Sequence, residues 1–152
     1  MEAVCSGAID ARTFIAFFKN ASDVDKGTCA DVMKHVSAQK PAILAKHIDL
    51  LVSHVNHRAP RVIWGVQEAL GNLAAKYPGK AAKAVPNLLR NTVENRVNTT
   101  VIRWCAAYAL AEITKHSSAA RKDLVPKLRA IAGKEKNNGV RNVYLRALKS
   151  AG

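Results

Sequence analysis

Histidine and cysteine are the side chains in this sequence best suited to hold a transition metal. Three of the five histidines, His47, His54 and His57, are spaced so that they share part of one helix face. The three cysteines are widely separated: Cys5, Cys29 and Cys105. They form no CxxC pair, and zinc sites need ligands at short, regular spacings, so we predict no bound metal and no other cofactor. Free, unpaired thiols are typical of an intracellular protein, cytoplasmic or nuclear.

Side chains for nucleophilic or acid–base catalysis are present but scattered. The chain contains no GxSxG elbow, no phosphate-binding loop and no GxGxxG turn, the short patterns that would bring such groups together. The sequence therefore predicts neither an enzyme nor a small-molecule substrate site. No apolar run approaches the length of a membrane span, so we expect no membrane-spanning segment.

Positive charge is the most informative chemical feature of the sequence. The formal net charge is +13, and it is unevenly distributed. Residues 1–76 contain nine Lys/Arg and seven Asp/Glu, whereas residues 77–152 contain fifteen and four. An asymmetry of this size predicts that the C-terminal half binds an acidic partner. The alternative interpretation is that these cations only solvate helix surfaces.

Two groups of residues are the candidates for that binding. The first is a polar stripe on a predicted helix over 80–93, at positions i, i+3, i+7 and i+10, which Lys127 continues on a later helix. Its members are Lys80, Lys83, Asn87, Arg90 and Lys127. The second group follows the loops before three predicted helices and consists of Arg58, Arg61, Arg96, Arg103 and Arg141. Unpaired backbone amides at a helix start favour an anion, and arginine can bind a phosphate or carboxylate through two hydrogen bonds.

The segments that carry these residues repeat. "VIWGVQEALGNLA" (62–74) is followed about 40 residues later by "VIRWCAAYALAEI" (101–113), and "VPNLL" (85–89) by "VPKLR" (125–129). A third copy follows in "VRNVYLRALKSAG" (140–152), so Leu70, Leu110 and Leu148 are expected to be equivalent buried positions. Trp64 and Trp104 also share one repeat position, which favours a packing role over the alternative of stacking platforms or partner anchors.

Apolar residues recur with helical spacing throughout, and strand patterning is absent. Proline and Asn/Gly clusters separate the periodic segments. We predict eight helices, at about 10–20, 23–38, 41–56, 60–76, 80–93, 99–116, 120–133 and 138–150. No linker divides the chain, so residues 1–152 are expected to form one domain.

The repeated helix with Ala69-Leu70-Gly71, its "VPNLL" partner helix and a period near 40 resemble HEAT repeats, most clearly over residues 58–148. The resemblance implies an all-α, right-handed superhelical solenoid of about four antiparallel helix pairs. First helices would lie on the convex side and second helices on the concave side, where the basic stripe would be. The half-repeats at the two ends are expected either to cap the stack or to mark a piece of a longer solenoid.

HEAT-type solenoids mostly bind proteins, so the resemblance implies a non-enzymatic scaffold or adaptor that binds an acidic protein or peptide. The alternative is sequence-independent binding to a DNA or RNA backbone. A third and weaker alternative is a DNA alkylation-repair protein, a class that also uses HEAT-like stacks and needs a carboxylate on the concave surface. Asp123 is the one mild candidate for that carboxylate, although an aspartate near a helix start is expected from the helix dipole alone.

Overall fold

A computed structural model of the protein describes residues 2–151, and every regular element in that range is helical. The α-helices are α1 (Glu2–Cys5), α2 (Ala11–Asn20), α3 (Asp23–Gln39), α4 (Ile48–Ser53), α5 (Pro60–Leu73), α6 (Pro78–Ala81), α7 (Val85–Arg90), α8 (Thr100–His116), α9 (Ser118–Lys134) and α10 (Asn138–Ser150). Two 3-10 segments, Pro41–His47 and Ala82–Ala84, directly precede α4 and α7. The prediction of an all-α protein is confirmed for the described residues.

Two of the predicted helices are not continuous. The segment predicted at 41–56 is a 3-10 portion followed by α4, and the segment predicted at 80–93 is split into α6, a 3-10 portion and α7. In the second segment Pro86 lies in the first turn of α7, where its missing N–H costs no helical hydrogen bond. Its repeat equivalent, Pro126, lies inside the unbroken helix α9. Equivalent prolines therefore occupy different helical contexts in successive repeats.

The long helices pack side by side in chain order. α3 packs on α5, α5 on α8 and α8 on α10. α4, α7 and α9 form a second layer, in which α4 packs on α5, α7 on α8, and α9 on both α8 and α10, while α1 and α2 pack on α3. The core lies between the two layers and is continuous from α1 to α10. The first-layer helices thereby present a long outer face and the second-layer helices another.

The apolar stripes predicted from the sequence form this core. Val66 and Leu70 of α5 and Ala106 and Leu110 of α8 are fully buried. Leu148 of α10 is only partly buried and packs against the edge of the core, so the expectation that it matches Leu70 and Leu110 in burial is wrong. The described residues place α8 and α9 against α10, which leaves one side of this helix uncovered.

Polar side chains join successive units across the interior. Buried Gln67 donates to the Ile102 carbonyl at 3.1 Å and accepts from Asn91 at 3.0 Å. Asn91 also donates to the Val55 carbonyl at 2.8 Å. These groups cost little to bury because each finds a hydrogen-bond partner. Side-chain hydrogen bonds in the interior and at the surface also span 31–35 residues in sequence. This offset is slightly shorter than the sequence repeat, so these bonds join adjacent copies of the unit.

One glycine permits the close approach of α3 and α5. A Cβ added to Gly65 would lie 2.8 Å from the Cβ and the carbonyl group of Ala30, closer than van der Waals contact allows. The helices therefore approach each other through small residues at this point. No helix within residues 2–151 combines the length and the hydropathy needed to cross a membrane.

Candidate functional site

The predicted basic stripe is largely bonded to the rest of the chain. Its first three residues contact the preceding second-layer segment, residues 41–53. The contacts are Lys80 Nζ to the Ala45 carbonyl at 3.3 Å, Lys83 Nζ to Asp49 Oδ1 at 3.5 Å, and Asn87 Nδ2 to the Val52 carbonyl at 3.4 Å. All three distances are long for their type, and both lysines are exposed. These residues link one unit to the next while their charge remains close to solvent.

The other two stripe residues differ from each other. Arg90 ends α7 and is exposed, and its guanidinium has no ion pair or hydrogen bond with another described residue. Lys127 pairs with Asp123 at 2.9 Å, one helical turn away, and both side chains are largely exposed. An exposed pair of this kind contributes about 0.3–0.5 kcal/mol, so Lys127 can exchange Asp123 for another carboxylate. Asp123 lies on this open helix surface and lines none of the clefts described below.

One member of the predicted loop edge lies in the interior. The Arg103 side chain is only 5% exposed, and its Nε donates to Glu135 Oε2 at 3.0 Å. Its Nη2 donates to Glu135 Oε1 at 3.3 Å and its Nη1 to the Asn98 carbonyl at 2.8 Å. The prediction that Arg103 reaches an external anion is therefore wrong, because its donors are used inside the protein.

The carboxylate of Glu135 is held ionised in this pair. Burial alone would raise the pKa of Glu135, but hydrogen bonds from Arg103 and from the Asn137 amide at 2.9 Å bring it below its usual value. Asn137 in turn caps α10 by accepting from the Val140 amide at 3.0 Å. The ion pair thus fixes the loop before α10 against the start of α8. The repeat contains a signal for this position. At the 40-residue offset that aligns Trp64 with Trp104, Arg103 corresponds to Ile63, an apolar residue buried in α5.

The remaining loop arginines divide into bonded and unbonded side chains. Arg58 donates to Asp23 at 2.7 Å, and this hydrogen bond lowers the pKa of the aspartate. Arg141 donates to the side chain of Asn138. Arg61 and Arg96 are exposed, and neither side chain forms an ion pair or hydrogen bond with the residues that the structure describes. The structure therefore does not bring the five predicted arginines together as one continuous edge.

Cations without a bonded partner are nevertheless numerous in the C-terminal half. Of the four acidic residues there, three are engaged by cationic or potentially cationic side chains of the same half. Nine exposed Lys/Arg side chains make no ion pair or hydrogen bond within residues 2–151: Arg90, Arg96, Lys115, Lys122, Arg129, Lys134, Lys136, Arg146 and Lys149. Most of the local positive charge is thus left without a bonded counterion.

Exposed apolar residues accompany some of these cations, a feature that the sequence analysis missed. Val93 and Val97 in the loop between α7 and α8 are 60% and 58% exposed. Val93 lines a cleft of about 270 Å³ together with Ile131 and Lys134 of α9. Valine also occurs in ordinary turns, so the sequence spacing did not indicate that Val93 and Val97 would be exposed. The cleft therefore combines apolar side chains with one basic residue, Lys134, and two acidic residues, Glu94 and Glu135.

The histidines and cysteines form no metal centre in the described part of the chain: no three His, Cys, Asp or Glu side chains there lie close enough to share an ion. His54 and His57 are close, with ring centroids 5.7 Å apart, and His57 Nε2 lies 3.8 Å from Asp23. Cys105 is buried, and this burial raises the pKa of its thiol to about 12. At neutral pH Cys105 is therefore a protonated, packed side chain.

The two tryptophans have unequal surroundings despite their shared repeat position. Trp64 is partly buried and lines a groove of about 250 Å³ with Asp31, Lys34 and Glu68. Trp104 is 38% exposed, and its ring stacks on Tyr108 with centroids 5.8 Å apart and planes 7° from parallel. The packing interpretation thus leaves the exposure of Trp104 unexplained.

The sequence matches no protein-family model, and comparison with the curated proteins and with the solved structures found no significantly similar chain.

Proposed function

We propose that the two helical layers form a right-handed, HEAT-like superhelical solenoid of about four helix pairs. Three observations support this arrangement: sequence landmarks recur every 38–40 residues, the long helices pack side by side in chain order, and hydrogen bonds join residues about 35 positions apart. A single helix pair cannot bury its apolar face alone, so repeating and stacking it creates a continuous core.

The function that this geometry supports best is that of a non-enzymatic scaffold that binds an acidic protein or peptide. The observation that carries the proposal is the set of nine exposed cations in residues 77–151 that have no bonded partner. An uncompensated positive surface attracts acidic partners and accelerates their association. Structural salt bridges would instead have paired these charges within the chain.

The proposed surface is centred on Arg90, Arg96 and Lys134. Lys134 lines the cleft that contains Val93, and Arg90 and Arg96 lie three residues before and after Val93 in the sequence. These cations have no intramolecular bond to break, unlike Lys80 and Lys83. Lys127 and the other stripe residues extend the surface, because their exposed contacts are weak and exchangeable. Apolar contacts with Val93 would add specificity that charge alone does not provide.

A defined acidic probe tests this surface. A fluorescent decaglutamate peptide should bind the wild-type protein at low salt and dissociate as salt is raised, measured by fluorescence anisotropy. The triple variant Arg90→Glu, Arg96→Glu, Lys134→Glu should bind at least about tenfold more weakly, the effect of losing about 1.4 kcal/mol.

A matched variant separates local binding from net charge. Arg12→Glu, Lys19→Glu, Lys46→Glu makes the same change in charge at three exposed N-terminal cations. The proposal requires this control to bind much better than the C-terminal variant. Equal weakening in both variants would show that only net charge matters and would reject the surface. The alternative function, nucleic-acid backbone binding, predicts instead that duplex DNA displaces the peptide and binds the protein more tightly than the peptide does.

A further inference from the structure

A second surface lies between two of the first-layer helices and shares no lining residue with the cleft that contains Val93. It is an open groove of about 330 Å³ between α8 and α10. Its α8 wall presents Trp104, Tyr108 and Lys115, and its α10 wall presents Val143 and Arg146. The volume is at the lower end of the range typical of small-ligand sites.

The aromatic wall of this groove is held in place from behind. The Tyr108 hydroxyl hydrogen-bonds to Asn72 Oδ1 at 2.5 Å, which fixes the end of the ring. The ring edge lies over Gly71, where an added Cβ would come within 2.5 Å of Tyr108 Cε1. Burial raises the pKa of Tyr108 to about 12, so its hydroxyl remains a donor at neutral pH. Tyr108 is therefore a rigid support on which the Trp104 ring stacks.

The groove carries a net positive charge, because Lys115 and Arg146 line it together with Glu112. Lys115 and Arg146 are exposed, and neither side chain forms an ion pair or hydrogen bond within residues 2–151. The acidic residue that lines the groove, Glu112, lies 3.3 Å from His116. A flat aromatic surface beside free cations is the combination that single-strand nucleic-acid binders use, since bases stack on the ring and phosphates contact the cations.

We propose that the groove between α8 and α10 binds single-stranded nucleic acid, with one base stacked on Trp104 and the adjoining phosphates bound by Arg146 and Lys115. Stacking is tolerant of sequence because every base has a flat face. An acidic peptide would also meet the cations, but it would not need a rigid, parallel pair of aromatic rings. The proposal does not rest on the acidic-partner function. Lys115 and Arg146 belong to the nine unpaired cations, but the groove shares no lining residue with the cleft that contains Val93 and does not include Arg90, Arg96 or Lys134.

Trp64 provides a built-in comparison. It occupies the repeat position of Trp104, but the residue four positions later is Glu68 where α8 has Tyr108. Its groove also contains Asp31, and Lys34 lies between the two carboxylates, 3.1 Å from Asp31 and 3.8 Å from Glu68. Arg61 also lines this groove, so its two cations and two carboxylates balance. Without a stacked ring and without net positive charge, this groove should bind a phosphate chain more weakly than the groove between α8 and α10.

The experiment is a titration with a deoxythymidine decamer at low salt. In the Trp64→Phe variant, whose one tryptophan is Trp104, binding should quench tryptophan fluorescence saturably. With a labelled decamer, Trp104→Ala should weaken binding at least about tenfold, consistent with the loss of one stacked base. Trp64→Ala should leave the affinity within about twofold. Arg146→Glu should weaken binding and reduce its salt dependence, because one phosphate contact is lost.

Several results would overturn the proposal. These are no decamer binding at low salt, binding that Trp104→Ala leaves unchanged, or tighter binding of thymidine monophosphate or decaglutamate than of the decamer in the same groove. Circular dichroism checks that each variant is folded. If Trp104→Ala does not fold, Arg146→Glu provides a second test, because Arg146 is exposed and its replacement should not disturb the fold. Arg90→Glu, Arg96→Glu, Lys134→Glu should lose decaglutamate but keep the aromatic contribution to decamer binding, so the two proposals fail independently.

Discussion

Replacing Arg103 by alanine should be among the most damaging single changes to the fold. The Arg103 and Glu135 side chains are 5% and 3% exposed and share two hydrogen bonds, with a third from Arg103 to the Asn98 carbonyl. Removing one partner leaves the other charge buried and unpaired, which costs about 3–5 kcal/mol. The total free energy of unfolding of a small domain is about 5–15 kcal/mol, so this variant should lose a large fraction of its stability.

Urea unfolding followed by circular dichroism measures this cost. The control is Arg96→Ala, an exposed arginine in the loop just before α8, which should change stability by less than about 0.5 kcal/mol. The double variant Arg103→Met, Glu135→Leu should recover most of the loss, because an apolar pair of similar volume avoids burying charge. A cost below about 0.5 kcal/mol for Arg103→Ala would show that the side chain is not buried and would refute the reasoning.

The same pair gives a pH dependence with a definite sign. The folded-state pKa of Glu135 lies below its ordinary value of about 4.3, so the folded protein favours the ionised carboxylate. Its contribution is present above that ordinary pKa and is lost as the pH falls through the lowered folded-state pKa. The stability difference between the wild-type protein and Glu135→Gln should therefore be constant near neutrality and shrink in acid. A difference that grows in acid would contradict this assignment.

Three further changes test packing and reactivity. Leu110→Ala should cost about 2–5 kcal/mol in chemical denaturation and Leu148→Ala clearly less, because only Leu110 is fully buried; equal costs would contradict the described packing. Gly65→Ala should destabilise by about 1–3 kcal/mol through overpacking against α3, and a neutral result would mean that α3 and α5 are further apart. Cys105 should react with a thiol reagent more than about tenfold more slowly than the partly exposed Cys5, and rapid labelling of Cys105 would argue against its burial.

Helix type and core positions were predictable because they depend on local periodicity. The predicted stripes have helical spacing, and all eight of their residues are buried: Ile63, Val66, Leu70 and Leu73 in one helix, and Ile102, Ala106, Ala109 and Ile113 in the next copy. The 3-10 segment before α4 was not predictable, since its apolar spacing is compatible with a regular helix. The partial burial of Leu148 in α10 was also not predictable, because repeat alignment alone cannot show which helices contact α10.

The candidate site was predictable in charge but not in placement. Composition shows that the C-terminal half is basic, yet it cannot show which cations have internal partners. Arg103 and Arg96 look alike in sequence as loop-proximal arginines, and only the fold brings Glu135 against one of them. Trp64 and Trp104 look alike for the same reason, and the neighbours Glu68 and Tyr108 decide how their surroundings differ.

Capture of binding partners from a cell lysate tests the central claim most directly. Immobilised wild-type protein, the Arg90→Glu, Arg96→Glu, Lys134→Glu variant and the N-terminal charge-matched control would be compared at two salt concentrations, with and without nuclease. The account predicts an acidic protein that resists nuclease, dissociates at high salt, and is captured by the wild-type protein and the control but not by the C-terminal variant. The account would be contradicted if no acidic protein remained captured after nuclease treatment, or if all three proteins captured the nuclease-resistant acidic protein equally.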